Sequence, residues 1–217
     1  MGIEFRIECF ILKKTSLLIL KPHVTPKPTI ILKTSSEADL PKMIEKNHWS
    51  NRKSIPRDLL AAKELVYDCF DFDCTQPQQE SESIDYSAYR FYLNEKFICY
   101  REAKITPTKT GQFVTLWKRS RLGIIEPFDS SDLIDFVFIS VRKENLFGQF
   151  IFPKTVLLEK GIFSTAAKEG KRAVRVYPPW DETTNKQAQK TQRWQLDYFF
   201  EIAPEPDFDT LKKLLDY

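Results

Sequence analysis

The sequence predicts a mixed α/β (α+β) protein, a sheet of mostly hairpin-connected strands flanked by helices, and three observations carry that reading. Two pairs of aromatic and β-branched segments alternate with a period of two and are joined by short polar turns. Between and after them, other segments place apolar residues at helical spacing. Hydrophobic residues make up 42% of the 217-residue chain and aromatics 13%, with 17 Phe, enough for one thick core between sheet and helices.

Residues 1–56 read as a loosely structured N-terminal extension, because Pro22, Pro26, Pro28 and Pro41 remove backbone donors and punctuate any regular element. The two apolar runs of MGIEFRIECFILKKTSLLILKP are split by Lys13 and Lys14, and each is shorter than the roughly 20 residues of a membrane span. A cytoplasmic protein with no membrane partner is therefore expected. Cys9, Cys69, Cys74 and Cys99 lack CxxC spacing and only His23 and His48 could assist them, which argues against a structural zinc site and a disulfide framework.

The folded domain is expected over residues 57–217. Ser54 as N-cap and Pro56 in the first turn open a helix whose buried face carries Leu59, Leu60, Leu65, Val66, Cys69 and Phe70. YSAYRFYL and KFICYREAK form a hairpin turning at Asn94 and Glu95. TPTKTGQFVTLWKRS fits a loop followed by either a strand or a helix. LIDFVFISV and LFGQFIFPK form a second hairpin about a polar turn, Arg142 to Asn145. A short helix from Thr155 ends at Gly161, KRAVRVYPPW is a strand stopped by Pro178 and Pro179, and NKQAQKTQRWQLDYFFEI and DFDTLKKLL are helices.

Several of these segments, taken in order, resemble the MepB family: AKITPTKTGQFVTLWKR, PFD with SDLIDF, FGQFIFPKTVL, KRAVRVYPPWD and QAQKTQRWQLDYF. The resemblance spans about residues 57–202 and implies a compact cytosolic α/β domain with kinship to restriction-endonuclease-like folds. It implies no particular reaction, since the family is known for its association with multidrug-efflux genes.

The residues themselves point to an anion. A formal charge of +3 from 33 Lys and Arg against 30 Asp and Glu excludes a uniformly basic surface, so any anion site is local. Arg101, Lys104, Lys109, Lys118, Arg119 and Arg121 crowd one stretch, and Thr106, Thr108 and Thr110 flank Lys109 and Gly111, so hydroxyls, backbone N–H groups and an ammonium could meet a phosphate. The glycine spacing of a Walker A loop is missing. Arg172 and Arg175 fall on opposite sides of their strand, so one of them reaches a given site. Lys186, Lys190 and Arg193 stripe the following helix, where cations near the N-terminus oppose the macrodipole unless an anion is bound or Asp181 and Glu182 offset them. Trp180 and Trp194 are candidates for stacking on a base or for the core.

The expected ligand set is Lys104, Thr106, Thr108, Lys109, Arg175, Lys190 and Trp180, with nucleic acid or another phosphate-containing molecule as partner and no required cofactor. A nuclease is the alternative: Glu102 and Lys104 form an E-x-K unit, with Asp135 near the start of another strand and Glu64 on the first helix, so two carboxylates could hold magnesium while Lys104 stabilises charge developing on a scissile phosphate. Asp129, Asp132 and Asp135 fit turn and strand caps better than a calcium loop. An interaction module built on aromatic surfaces is the third class.

Overall fold

The computed structural model describes residues 48–215, which lie within one compact unit, Ile44–Tyr217. The proline-punctuated stretch, Cys9 and His23 fall outside the described residues. Part of the expected extension is core: Trp49 is 2% exposed, donates its indole N–H to the Cys74 carbonyl at 3.2 Å and meets Phe91 edge-on. One apolar residue among polar neighbours carries no periodicity, which is why the sequence pattern did not reveal it.

Pro56, and not Ser54, precedes helix α1 (Arg57–Ala62), which runs on into a π-helical turn, Lys63–Tyr67. The Ser54 hydroxyl donates back to the Asn51 carbonyl instead. Leu59, Ala62, Val66 and Tyr67 form the buried face. Buried Lys63 pairs with Asp68, and its ammonium stands 5.2 Å from the Trp49 ring.

The first hairpin is as expected. After β1 (Gln78–Gln79), β2 (Tyr89–Leu93) and β3 (Lys96–Glu102) pair around Asn94 and Glu95, whose φ values of 46° and 68° are those of a tight primed turn. The ambiguous segment takes the strand alternative, with a turn at Pro107 and Thr108: β4 (Lys104–Thr106), β5 (Lys109–Thr115) and β6 (Trp117–Arg119), followed by β7 (Ile125–Pro127). The second hairpin, β8 (Phe136–Lys143) and β9 (Leu146–Pro153), keeps its pairing as far as Lys143↔Leu146, so Arg142 lies in the strand and not in the turn.

Helix α2 (Lys154–Glu159) and strand β10 (Ala173–Val176) follow as expected. Helix α3 (Lys186–Leu196) is shorter than its pattern suggested, because the aromatic run after it becomes strand β11 (Phe199–Glu201) along β9. Gly148 makes that approach possible: a Cβ there would lie 2.3 Å from the Phe199 ring. Helix α4 (Phe208–Leu215) closes the described chain.

The main sheet has the order β1-β2-β3-β8-β9-β11, with β3 and β8 parallel and all other neighbours antiparallel. A three-stranded sheet, β10-β5-β4, and the ribbon β6-β7 lie between those parallel strands in sequence, apart from β10. One apolar layer, with Leu59, Phe91, Tyr100 and Phe138, packs the sheet on α1; the other, with Val114, Ile139, Phe150 and Val176, packs it on the small sheet. Among the described residues no helix is long and apolar enough to cross a membrane.

Candidate functional site

Strand β10, helix α3 and the end of α2 border an open groove of about 920 Å³. Lys109, Lys160, Lys171, Arg175, Lys190 and Arg193 line it, against the carboxylates of Glu159 and Asp197. Two of these cations are engaged. Lys160 pairs with Glu159 at 2.7 Å. Arg175 donates to the Gly111 carbonyl at 2.9 Å and the Thr106 hydroxyl at 2.8 Å, with its guanidinium 5.6 Å from the Phe113 ring. Lys109, Lys171, Lys190 and Arg193 form no ion pair with any described residue.

The local sequence explains how these groups are held. Gly111 has φ +84°, and a Cβ there would meet the Tyr177 ring at 2.5 Å, so only glycine lets β5 and the end of β10 come this close. Asn185 caps α3 by accepting the Ala188 N–H at 2.8 Å. No acidic residue stands in the first turn of α3, where Lys186 begins the helix and Asn185 and Gln187 face the groove. Its macrodipole therefore adds positive potential to the groove mouth. Trp194 borders the groove while resting on Phe152, and the Lys160 ammonium lies 5.7 Å from its ring, so it serves both core and surface.

The structure thus brings together Lys109, Arg175 and Lys190 from the expected ligand set, and disperses the rest. Lys104 is exposed beside Tyr86, 5.1 Å from its ring. Thr106 is used by Arg175, and Thr108 sits exposed in the turn between β4 and β5. Trp180 lies against Phe199 and borders a second, smaller cavity that Lys109 shares. The crowded basic stretch separates too: Arg101 is buried on Glu80 at 2.8 Å, Lys118 is held by Asp129 at 2.6 Å and Asp132 at 2.8 Å, and Arg119 pairs with Glu82. Lys160 and Lys171 escaped the sequence reading; their signal was basic residues in the segments adjoining the arginine-bearing strand.

The nuclease arrangement does not assemble. Asp135 accepts the Phe97 N–H at 2.8 Å, at the far end of β3 from Glu102. Five strand positions separate those ends, about 17 Å. Lys104 belongs to the next strand, and Glu64 is paired with Arg52 at the surface. Asp135 caps a strand start, and Asp129 and Asp132 anchor Lys118 at a turn.

Glu102 instead ends a polar chain through the sheet. Its carboxylate accepts from Ser87 at 2.6 Å and Tyr100 at 3.1 Å; the Tyr100 oxygen in turn accepts from the Ser140 hydroxyl at 2.9 Å, and Gln149 links Ser140 to Tyr67. Burial pushes the Glu102 carboxyl up, against the opposite pull of the Ser87 and Tyr100 hydrogen bonds. With both oxygens already accepting, this carboxylate is a structural acceptor. No group of three or more His, Cys, Asp or Glu side chains suited to a metal exists among the described residues.

Residues 80–201 match the MepB-like family model, and the chain belongs to this family. Among solved structures, the crystal structure of MepB is 34% identical, over 70% of this chain and 100% of that one, with a TM-score of 0.61. A bacterial homing endonuclease aligns at 14% identity over 68% of this chain and 92% of its own, but its TM-score of 0.40 is too low to support a common fold. No curated protein matches.

Proposed function

We propose that the protein is a nucleic-acid-binding domain whose groove between β10 and α3 holds a sugar–phosphate backbone. The observation that carries this reading is the set of four cations without an ion-pair partner among the described residues, Lys109, Lys171, Lys190 and Arg193, along one open groove of about 920 Å³. Four ammonium or guanidinium groups on a groove rim repel one another, and a run of phosphates removes that repulsion while releasing its own counterions. In this reading the protein works in the cytoplasm.

Binding of a fluorescent oligonucleotide over a salt series tests the reading. Replacing Lys109 by Ala weakens binding to unrelated sequences about equally and lowers the magnitude of the salt slope by about one unit. Salt-insensitive binding, or none at low salt, would overturn it.

A further inference from the structure

Behind Lys109 lies the second cavity, about 350 Å³, bordered also by Ile105, Lys143, Trp180, Asp181 and Glu182. Asp181 is the anomaly within it. Its side chain is only 12% exposed, yet its one charged partner among the described residues, the Lys143 ammonium, stands 4.0 Å away, beyond hydrogen-bond reach. No donor among the described residues hydrogen-bonds its carboxylate, and the raised affinity for its proton comes from burial, which outweighs Lys143. Next to it, the Trp180 indole N–H is buried without an acceptor among the described residues. A buried indole N–H without an acceptor among the described residues is unusual in a folded protein, where most buried polar groups are paired, and beside it the half-buried Asp181 carboxylate keeps both oxygens free to accept.

The turn carrying them is braced. The Asp181 N–H donates to the Pro178 carbonyl at 3.0 Å, and the Gln192 amide of α3 donates to the carbonyls of both Pro178 and Asp181, at 3.0 and 2.8 Å. The carboxylate is therefore presented by a braced backbone, 4.0 Å from the Lys143 ammonium on the lining of a cavity that Lys109 shares.

We propose that this cavity is a base subsite for an unpaired guanine, with Asp181 accepting from its N1–H and 2-amino group, Lys143 donating to O6, and Lys109 on the adjoining phosphate. Guanine's pairing edge offers two neighbouring donors and one acceptor, which match a carboxylate beside an ammonium. Adenine offers a single amino donor beside a ring acceptor that would face the carboxylate, and uracil or thymine offers one N–H between two acceptors. The cavity has room for one base. The proposal rests on the groove reading for its backbone contact and on Asp181 and Lys143 for its selectivity.

The test uses the full chain and single-stranded 12-mers carrying one central G, A, C or T in a fixed pyrimidine background, followed by anisotropy, together with calorimetric titration of GMP and AMP. Wild type is expected to bind the G oligonucleotide about tenfold more tightly, the discrimination of one bidentate base contact. Asp181→Asn, which removes no internal hydrogen bond of the side chain, should erase that preference while leaving the thermal transition and the salt slope unchanged; Lys143→Met should reduce it. Equal binding of all four oligonucleotides, or a preference kept in Asp181→Asn, overturns the subsite and leaves the groove reading standing. If no oligonucleotide binds, the groove reading fails, and GMP titration alone decides: a GMP preference lost in Asp181→Asn supports the subsite, and its absence overturns it.

Discussion

The Arg175 guanidinium and the Thr106 hydroxyl, 69 positions apart in sequence, are joined by a 2.8 Å hydrogen bond that ties β10 to the edge strand β4 across β5. Arg175 therefore acts as a clamp as well as a groove cation. Arg175→Lys keeps the charge and loses the fork that reaches both Gly111 and Thr106, so it should destabilise the fold by about 1–3 kcal/mol. Chemical denaturation measures this, and an unchanged midpoint would show that the fork is dispensable.

Lys104 and Lys190 separate groove from surface. Lys190→Ala should lower the magnitude of the salt slope by about one unit, whereas Lys104→Ala, beside Tyr86 and away from the groove, should leave it unchanged. Equal effects from both would mean that the ligand runs over β4 instead.

A chain lacking residues 1–42 should keep a cooperative thermal transition, since the compact unit begins at Ile44. Within either chain, Trp49→Ala should cost about 3–5 kcal/mol, through lost packing on Phe91 and a lost indole hydrogen bond. A loss under 1 kcal/mol, roughly that of a surface substitution, would place Trp49 outside the core.

Acid should act on Asp129 and Glu102 in opposite senses. Hydrogen bonds from Lys118 and Ser131 hold Asp129 down to about 2 from its ordinary 3.8. Its stabilising contribution is thus complete above the ordinary value and is lost as pH falls from there towards 2. Asp129→Asn should flatten stability across that window. Glu102 is shifted upward, so its ionisation weakens the fold as pH rises through its folded value. Relative to Glu102→Gln, wild type should gain stability on acidification from neutral pH, and a constant difference in urea midpoints would refute this.

The hairpins were legible in the sequence because their information is local: Leu93↔Lys96 and Lys143↔Leu146 close over two residues, and alternation sets the faces. The parallel pairing of β3 with β8 was not, since nothing near Ile98 encodes Phe136 as its partner. For the same reason Phe199 and Phe200 read as helix: their strand conformation depends on Gly148, far upstream. Of the site, Lys109, Arg175 and Lys190 were visible as charges, but which cations are already paired depends on contacts such as Lys118 with Asp129 that no spacing reveals.

Lys109 enters the chain before β8, whereas Lys171, Lys190 and Arg193 come after β9. On the ribosome, the central hairpin can form while the groove still lacks most of its charge. The positive potential of the groove is therefore complete only once α3 has been synthesised.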